Sequence, residues 1–342
     1  MQPGLRVLSP GLCTNVQDLG RFGWQALGVP VSGALDGAAL RLANALVGNP
    51  LGMPVLEILW SGPTFEIVAD RVRLALAGAG ADLSVGGSAT VPAWQSCVLT
   101  RGEMFRITLG RQSASACLAI EGGVAVPPVL GSASTYLRAG LGGFEGRALR
   151  RGDIVPIAIE NPAERAESRL PAPPPADTDQ PIRVVLGPQQ EYFTDDAVAT
   201  LLEAEFRISQ SADRMGMRLD GPTLHHRLGW DIVSDAIATG AIQVPGSGQP
   251  ILLLADHQTT GGYPKIATVI SADLPVVGRR RPGDRIRFTA VAPDVAEQLC
   301  RDAENRLLGL VAAIEPVPPS AALDFASLYR ANLISGVVTG SE

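Results

Sequence analysis

The chain has 342 residues, of which 46% are hydrophobic and 18% charged, and its formal net charge is −6. This composition favours a well-buried globular protein, and the length predicts two domains because single cores stop growing at about 250 to 300 residues. The acidic balance and the scattered basic residues argue against a nucleic-acid partner. No apolar stretch approaches the roughly 18 residues that a membrane span requires, so we expect a cytoplasmic protein without a membrane partner.

The cysteines and histidines do not form the pattern of a metal site. The four cysteines are dispersed without a CxxC pair, and the three histidines lack an HExxH spacing. Free cysteine is usually a small buried hydrophobe. We therefore expect no metal and no disulfide framework.

The first predicted unit spans residues 1–160. A helix is predicted over residues 36–47, where Asp36 can cap the start and Gly48 follows the end. Short runs rich in Val, Ile, Leu and Thr, bounded by turn residues, are typical of strands. They occupy residues 73–77, 96–100, 105–109 and 116–120.

A proline-rich segment over residues 161–181 is predicted to be an extended linker. The second unit follows over residues 182–292, with predicted strands at 182–186, 251–254 and 285–289 and a helix at 194–203. A tail over 293–342 begins with a predicted helix at 294–308. Many short strands and few helices predict a mainly β fold of two barrel or sandwich halves.

Lys265 is the only lysine among the 28 lysine and arginine residues. Lysine is a compact point charge whose pKa responds to burial, so retaining one in an arginine-rich chain suggests a special position. The alternative interpretation is that this one lysine was retained by chance.

Lys265 ends the stretch Gln258-Thr259-Thr260-Gly261-Gly262-Tyr263-Pro264-Lys265. Its glycines allow close backbone approach, and its hydroxyl, amide and ammonium groups could cradle a planar carbonyl or an oxyanion. It is not a phosphate loop, because no GxxxxGK[ST] motif occurs.

Other polar clusters are individually explained as turns. Asp18 with Arg21, and likewise Asp213 with Arg214, could be turn-stabilising ion pairs, and the glycine pairs could only supply positive φ in turns. The combination of these clusters in one chain identifies a family more specifically than any single cluster does.

The ordered motifs resemble the biotin-dependent carboxyltransferase-like family. The matching segments lie in the same order over residues 5–290; they are 14–23, 32–36, 43–49, 56–57, 131–147, 213–216, 241–245 and 258–265. That family includes the C subunit of the ATP-hydrolysing 5-oxoprolinase, proteins called KipA or allophanate hydrolase subunit 2, and the carboxyltransferase region of urea carboxylase. The resemblance implies two cyclophilin-like β-barrels.

The resemblance also implies a function: the C subunit of an ATP-dependent 5-oxoprolinase complex that activates the lactam of L-5-oxoproline for hydrolysis to glutamate. A KipI-like B subunit and the A subunit are the implied partners, and ATP is the implied cosubstrate, shared with a partner. Two alternatives stay open. One is a biotin-dependent carboxyltransferase acting on a small amide such as urea, with biotin on another protein; the other is a KipA-like regulatory binding module.

Under this interpretation Lys265 pairs with substrate charge, while Thr259, Thr260 and the Gly261–Gly262 backbone hold the carbonyl oxygen. Asp18, oriented by Arg21, is the expected general base, and Asp235 is a weaker candidate for that role. Gln258, Tyr263 and Gln243 complete the predicted substrate site. Two residues depart from the family pattern, His257 and Arg279, and either could alter specificity.

Overall fold

The structure is a computed structural model that describes residues 3–87, 89–175 and 179–318. The rest of the predicted tail, residues 319–342, and residues 176–178 of the predicted linker lie outside the described residues. The mainly β fold expected from the sequence is confirmed. Within the described ranges, no helix has the length and apolar character needed to cross a membrane.

The first half is built from twelve strands within the described residues. Their bounds are β1 Gly4–Ser9, β2 Cys13–Gln17, β3 Val55–Leu59, β4 Thr64–Ile67, β5 Arg71–Ala77, β6 Ala81–Val85, β7 Ala89–Pro92, β8 Gln95–Thr100, β9 Met104–Leu109, β10 Ser115–Ile120, β11 Ile154–Pro156 and β12 Ser168–Arg169. One sheet has the order β11-β1-β4-β9-β6-β7. A second sheet, which begins β2-β3-β10-β5-β8-β12, packs against it around one apolar core.

The burial of these strands follows their sequence pattern. Strand β9 alternates exposed and buried residues, with Phe105 and Ile107 in the core, as expected of a strand with one solvated face. Strand β10 is buried along its whole length, which agrees with its continuous apolar composition.

Helix α1, Gly37–Leu46, starts and ends where the sequence predicts. The Asp36 carboxylate accepts a hydrogen bond from the Ala39 N–H at 2.9 Å and so caps the first turn. The buried face of α1, including Leu40 and Leu46, packs on β5 and β10.

The second half contains ten strands within the described residues. They are β13 Ile182–Leu186, β14 Phe206–Ala212, β15 Gly216–Asp220, β16 Asp235–Ala236, β17 Ala241–Gln243, β18 Ile251–Leu253, β19 Thr260–Gly261, β20 Lys265–Val269, β21 Arg285–Ile286 and β22 Phe288–Ala290. Helices α2 (Asp195–Glu203) and α3 (Leu274–Gly278) accompany them. Thr194 caps α2, as predicted, by accepting from the Ala197 N–H at 3.1 Å.

Eight of these strands form one sheet in the order β21-β14-β15-β18-β17-β20-β13-β22. The sequence predicts one strand over 285–289, and this is wrong in one respect: the structure has two strands there, separated at Arg287. These two strands, β21 and β22, pair with opposite edges of the sheet. The division therefore joins the two edges and nearly closes the sheet into a barrel.

The predicted tail helix is present as α4, Pro293–Ala312, and it returns to the first half of the chain. Leu307 of α4 is buried with the apolar face of α1, and Arg41 of α1 forms a bidentate ion pair with Glu304 at 2.6 Å. The chain then forms β23, Glu315–Pro316, which pairs with β12 and extends the second sheet of the first half.

Part of the proline-rich segment is held against the first half. Arg73, which is 1% exposed, donates to the carbonyl oxygens of Ala163 and Arg165 and forms an ion pair with Glu167 at 3.1 Å. A buried guanidinium needs such partners, because burying an unpaired charge is costly. These contacts anchor the segment to the first half, although residues 163–166 remain exposed.

Candidate functional site

A cavity of about 390 Å³ opens on the second half beside the polar stretch that contains Lys265. Three predicted substrate-binding residues, Gln243, Gln258 and Tyr263, line it. The other lining residues lie on β14, β15, β18 and the turn between β14 and β15; they are Gln210, Ser211, Ala212, Asp213, Met215, Gly216, Arg218, Ile251 and Leu253. The cavity thus has carboxamide groups on one wall.

The two glutamine side chains interact with each other. Gln258 Nε2 donates to Gln243 Oε1 at 3.3 Å, and Gln243 Nε2 donates to the Tyr263 carbonyl oxygen at 3.4 Å. Gln243 is 1% exposed and packs over Gly261, where a Cβ atom would lie 2.7 Å from Gln243 Nε2. Gly261 therefore permits the close approach that fixes the Gln243 carboxamide.

Lys265 lies behind this wall, buried and paired with Asp235. Its Nζ is 2.8 Å from Asp235 Oδ2 and 3.2 Å from the Ala236 carbonyl oxygen, and the side chain is 2% exposed. Hydrogen bonds from Lys265 and from the Ala236 N–H lower the pKa of Asp235. The lysine is thus a buried positive charge with one fixed carboxylate partner.

Sequence reasoning missed Gln189, which completes this arrangement. Its Nε2 donates to Asp235 Oδ2 at 3.1 Å, and its Oε1 accepts from the Lys265 N–H at 3.1 Å. Gln189 belongs to the loop after β13 and has no motif around it, so only the fold shows that it joins Asp235 to Lys265.

Part of the predicted carbonyl cradle is a short strand of a two-stranded antiparallel sheet. Thr260 and Gly261 pair with Ala236 and Asp235 as strands β19 and β16. Two further backbone bonds, Ile237 N–H to the Thr259 carbonyl at 3.0 Å and Ile232 N–H to the Gly262 carbonyl at 2.8 Å, extend the pairing. The loop that carries Asp235 is therefore fixed to the stretch that carries Lys265.

Asp18 and Arg21 lie in the first half, where they organise a loop. The Asp18 carboxylate accepts from the hydroxyls of Ser132 (2.7 Å) and Ser134 (2.5 Å) and from the backbone N–H groups of Gly20 (2.8 Å) and Ala133 (2.6 Å). Its oxygens are thus engaged by four local donors.

Arg21 does not bond Asp18 directly. Its guanidinium donates instead to the carbonyl oxygens of Val129 at 2.9 Å and Ser134 at 2.7 Å, and burial lowers its pKa. In the described part of the chain, no hydrogen bond or ion pair links Asp18 or Arg21 to the Lys265–Asp235 pair.

The two departures from the family pattern have different positions. His257 is buried beside the site; its Nδ1 is 2.6 Å from the Gln258 carbonyl oxygen and its Nε2 is 3.1 Å from the Thr239 hydroxyl. Arg279 lies between the halves, where its Nε donates to Asp36 Oδ2 at 2.7 Å. His257 can therefore affect how Gln258 is held, whereas Arg279 joins the two halves.

A buried ion cluster connects the halves below the site. Arg214 donates to Asp256 Oδ2 at 3.0 Å, to the Gly33 carbonyl oxygen at 2.6 Å and to Glu57 Oε2. Burial raises the pKa of Glu57. Burial also disfavours the charged form of Arg214, but attraction to the Glu57 and Asp256 carboxylates outweighs this effect and raises the pKa of Arg214. The sequence motifs contain Glu57 and Arg214 but not Asp256, and the fold brings the three together.

The carboxamide wall has the hydrogen-bonding groups that an amide-like ligand needs. A carboxamide offers one acceptor and two donors, which match the carbonyl and N–H of an amide or lactam. Within residues 3–87, 89–175 and 179–318, no group of three or more His, Cys, Asp or Glu side chains could hold a metal ion.

Comparison with curated proteins gives relatives of matching length. The chain is 35% identical over 301 residues to the 5-oxoprolinase C subunit of Escherichia coli (strain K12), covering 88% of this chain and 96% of that protein. It is 36% identical over 290 residues to the 5-oxoprolinase C subunit of Haemophilus influenzae, covering 85% and 92%. It is also 33% identical to urea amidolyase of Lachancea kluyveri, covering 86% of this chain and 17% of that one.

Solved structures show the same fold within longer chains. The crystal structure of TTHA0988 superposes with a TM-score of 0.76 at 37% identity, covering 84% of this chain and 55% of that chain. The Kluyveromyces lactis urea carboxylase superposes with a TM-score of 0.82 at 27% identity, covering 93% and 30%. Residues 27–290 match the family described as the carboxyltransferase domain, subdomain A and B, and the chain belongs to that family.

Proposed function

We propose that this chain is the C subunit of an ATP-dependent 5-oxoprolinase and that it holds the lactam of L-5-oxoproline in the cavity lined by Gln243 and Gln258. The observation that carries the proposal is the carboxamide wall, in which Gln258 bonds to a fixed Gln243. The two relatives named as 5-oxoprolinase C subunits, 35–36% identical, support this assignment over most of the chain.

The chemistry requires activation of a stable amide. Phosphorylation of the lactam oxygen by ATP gives an imidate whose carbon accepts water more readily than the amide does. The ring C–N bond then breaks to give glutamyl phosphate, and a second water releases glutamate and phosphate. The Gln243 and Gln258 amides would orient the lactam, while Lys265, which is buried on the strand beside Gln243 and paired with Asp235, would act on the developing negative charge only through its positive charge.

A separate cleft has the chemistry that suits phosphate groups. Arg111, Arg280, Arg285 and Arg287 line a cavity of about 470 Å³ between the halves, together with Asp179, Glu205 and Asp284. Guanidinium groups bind phosphate oxygens bidentately. ATP could therefore be held by these residues, with the A and B subunits completing the enzyme.

Coexpression with homologues of the A and B subunits tests the proposal. We expect ATP turnover that depends on L-5-oxoproline, and we expect Gln243→Leu and Gln258→Leu to reduce kcat/KM at least about tenfold. Gln298→Leu, at an exposed position of α4, is the matched control and should retain activity. Equal activity in all four proteins would exclude the carboxamide wall as the lactam site.

The second candidate is a carboxyltransferase that uses biotin on another protein. The superposition with K. lactis urea carboxylase at a TM-score of 0.82 favours it. The chain's single lysine is buried against Asp235, so this chain is not itself the biotin carrier. Transfer of labelled carboxylate from carboxybiotin to urea, without 5-oxoproline-dependent ATP turnover, would support this candidate over the first.

A further inference from the structure

A second cavity, of about 500 Å³, lies at the joint between the two halves. The first half contributes Cys13, Trp60, Tyr136, Leu137 and Arg138, and the second half contributes Asp213, Arg214, Met215 and Asp256. Asp213 and Met215 also line the carboxamide cavity, so the turn that contains them separates the two spaces. We call this second space the joint cavity.

The floor and walls of the joint cavity differ in character. On the floor, Arg214 and Asp256 are paired with each other, which leaves their charges satisfied. The walls present the rings of Trp60 and Tyr136 and the side chains of Leu137 and Met215. Such walls suit a ligand with an apolar or aromatic body.

The rim carries two opposite charges that do not pair with each other. The exposed Arg138 donates through Nη1 to Met215 Sδ at 3.0 Å, and a thioether is a weak acceptor. Asp213 accepts from the Met215 N–H at 2.8 Å and the Gly216 N–H at 3.2 Å through Oδ1 alone. No ion pair involving Arg138 or Asp213 occurs among the residues that the structure describes.

Both charges contact the same residue, because Arg138 donates to the Met215 sulfur and Asp213 accepts from the Met215 N–H. A guanidinium is suited to a carboxylate, and a carboxylate is suited to an ammonium group. A ligand that carries both groups on one carbon would satisfy both residues.

The backbone at Trp60 supports a binding role for this cavity. Trp60 has φ 65, a left-handed conformation that is costly for a bulky residue, and its N–H donates to the Ala114 carbonyl oxygen at 2.7 Å. Strained residues of this kind cost about 1 to 3 kcal/mol and cluster at ligand sites. The strain places the indole on the wall of the joint cavity.

We propose that the joint cavity binds a zwitterionic α-amino acid with an apolar or aromatic side chain. The carboxylate lies on Arg138, the ammonium group faces Asp213, and the side chain lies against Trp60 and Tyr136. This proposal does not rest on the lactam chemistry, because the ligand lies in a separate cavity that shares only the turn of Asp213 and Met215 with the carboxamide cavity.

Titration calorimetry on the purified full chain tests this with three related probes. L-Tryptophan carries both charges, indole-3-propionate lacks the ammonium group, and tryptamine lacks the carboxylate. We expect L-tryptophan to bind at least about tenfold more tightly than either analogue. Failure of L-tryptophan to bind, or equal affinity for all three, would overturn the proposal.

Two variants that each remove one charge assign each contact. Arg138→Gln should weaken L-tryptophan binding about tenfold and leave tryptamine unchanged. Asp213→Asn keeps an oxygen for the turn and should remove the preference for L-tryptophan over indole-3-propionate. Arg151→Gln, at an exposed position outside the cavity, is the control and should bind like the unaltered chain. Unchanged affinities in both rim variants would refute the assignment.

Discussion

Among the individual residues, the only lysine of the chain is a buried charge with a fixed partner. Its ammonium group bonds to Asp235 Oδ2 and to the Ala236 carbonyl oxygen, which offsets the cost of removing it from water. Arginine carries the same charge on a larger, planar group, so it cannot occupy the same space.

We expect Lys265→Arg to lower activity more than about tenfold, equivalent to about 1.4 kcal/mol of transition-state stabilisation. Overpacking should also lower the free energy of unfolding by about 1 to 3 kcal/mol. Chemical denaturation and steady-state kinetics of the coexpressed complex measure both effects. Arg207→Lys, at an exposed strand position, should change neither. A Lys265→Arg enzyme that keeps more than a tenth of the activity would exclude a role for Lys265 at the site.

His257 makes the stability depend on pH. Burial lowers its pKa, and the contact with the Gln258 carbonyl oxygen and the charge of Asp256 only partly oppose this. The unfolded chain therefore binds a proton at a higher pH than the folded chain. Stability should fall as the pH falls below about 7, through the ordinary histidine pKa of about 6.5.

Urea denaturation between pH 7.5 and 5.5 measures this slope, which one proton limits to about 1.4 kcal/mol per pH unit. His257→Gln should flatten the slope, whereas His225→Gln, at an exposed position, should retain it. A flat profile in the unaltered chain would contradict the expectation.

Among the secondary-structure elements, the two-stranded β16–β19 sheet decides where Asp235 lies. Strands of two residues are too short to be stable alone, so this small sheet depends on the Lys265–Asp235 ion pair and on flanking backbone bonds. The loop before it also carries exposed apolar side chains, Leu228, Trp230 and Val233. These exposed side chains contribute little buried apolar area to hold the loop in place.

We expect Asp235→Asn to loosen the β16–β19 sheet, because the substitution removes the charge that faces Lys265. Amide hydrogen exchange at Ile232 and Ile237 should become several-fold faster, since both N–H groups bond to the segment that contains β19. Asp231→Asn makes the same chemical change in the same loop and is the control. Equal protection in both variants would show that the ion pair does not hold the loop.

Across the molecule as a whole, the two halves share buried charges. Arg214 serves Glu57 of one half and Asp256 of the other, and its removal leaves two buried carboxylates without a partner. We expect Arg214→Met to cost about 3 to 5 kcal/mol of unfolding free energy. Arg101→Met removes an arginine that is 52% exposed and should cost at most about 1 kcal/mol. Denaturant unfolding compares the two, and similar losses would contradict a structural role for the cluster.

The halves should also stay together after cleavage between them. Ala163, Arg165 and Glu167 contact Arg73, and Arg169 forms an ion pair with Glu315 at 2.7 Å. The composition predicts early trypsin cleavage at Arg165 and Arg169, but this packing should slow it. Brief trypsin digestion measures the rate of cleavage, and native size-exclusion chromatography then shows whether the fragments stay together. Rapid cleavage at either site with separation of the fragments would contradict the observed packing.

Local signals in the chain were enough to predict the mainly β class, the two strand-rich halves, the ends of α1 and α2 and the polar stretch that ends at Lys265. These signals are capping side chains, turn residues and the periodicity of apolar residues. Gln243, Gln258 and Tyr263 were predicted from motifs, and the structure places all three around one cavity.

Which polar residues meet is known only from the folded chain. Lys265 meets Asp235 across 30 residues, Arg214 meets Glu57 across 157 and Arg41 meets Glu304 across 263. Such contacts leave no local pattern, because a side chain's distant partner is set by the strand order and by closure of the barrel. For the same reason Gln189, the return of α4 to the first half and the joint cavity could not be predicted from the residues alone, since each requires segments that are brought together only by packing of the apolar cores.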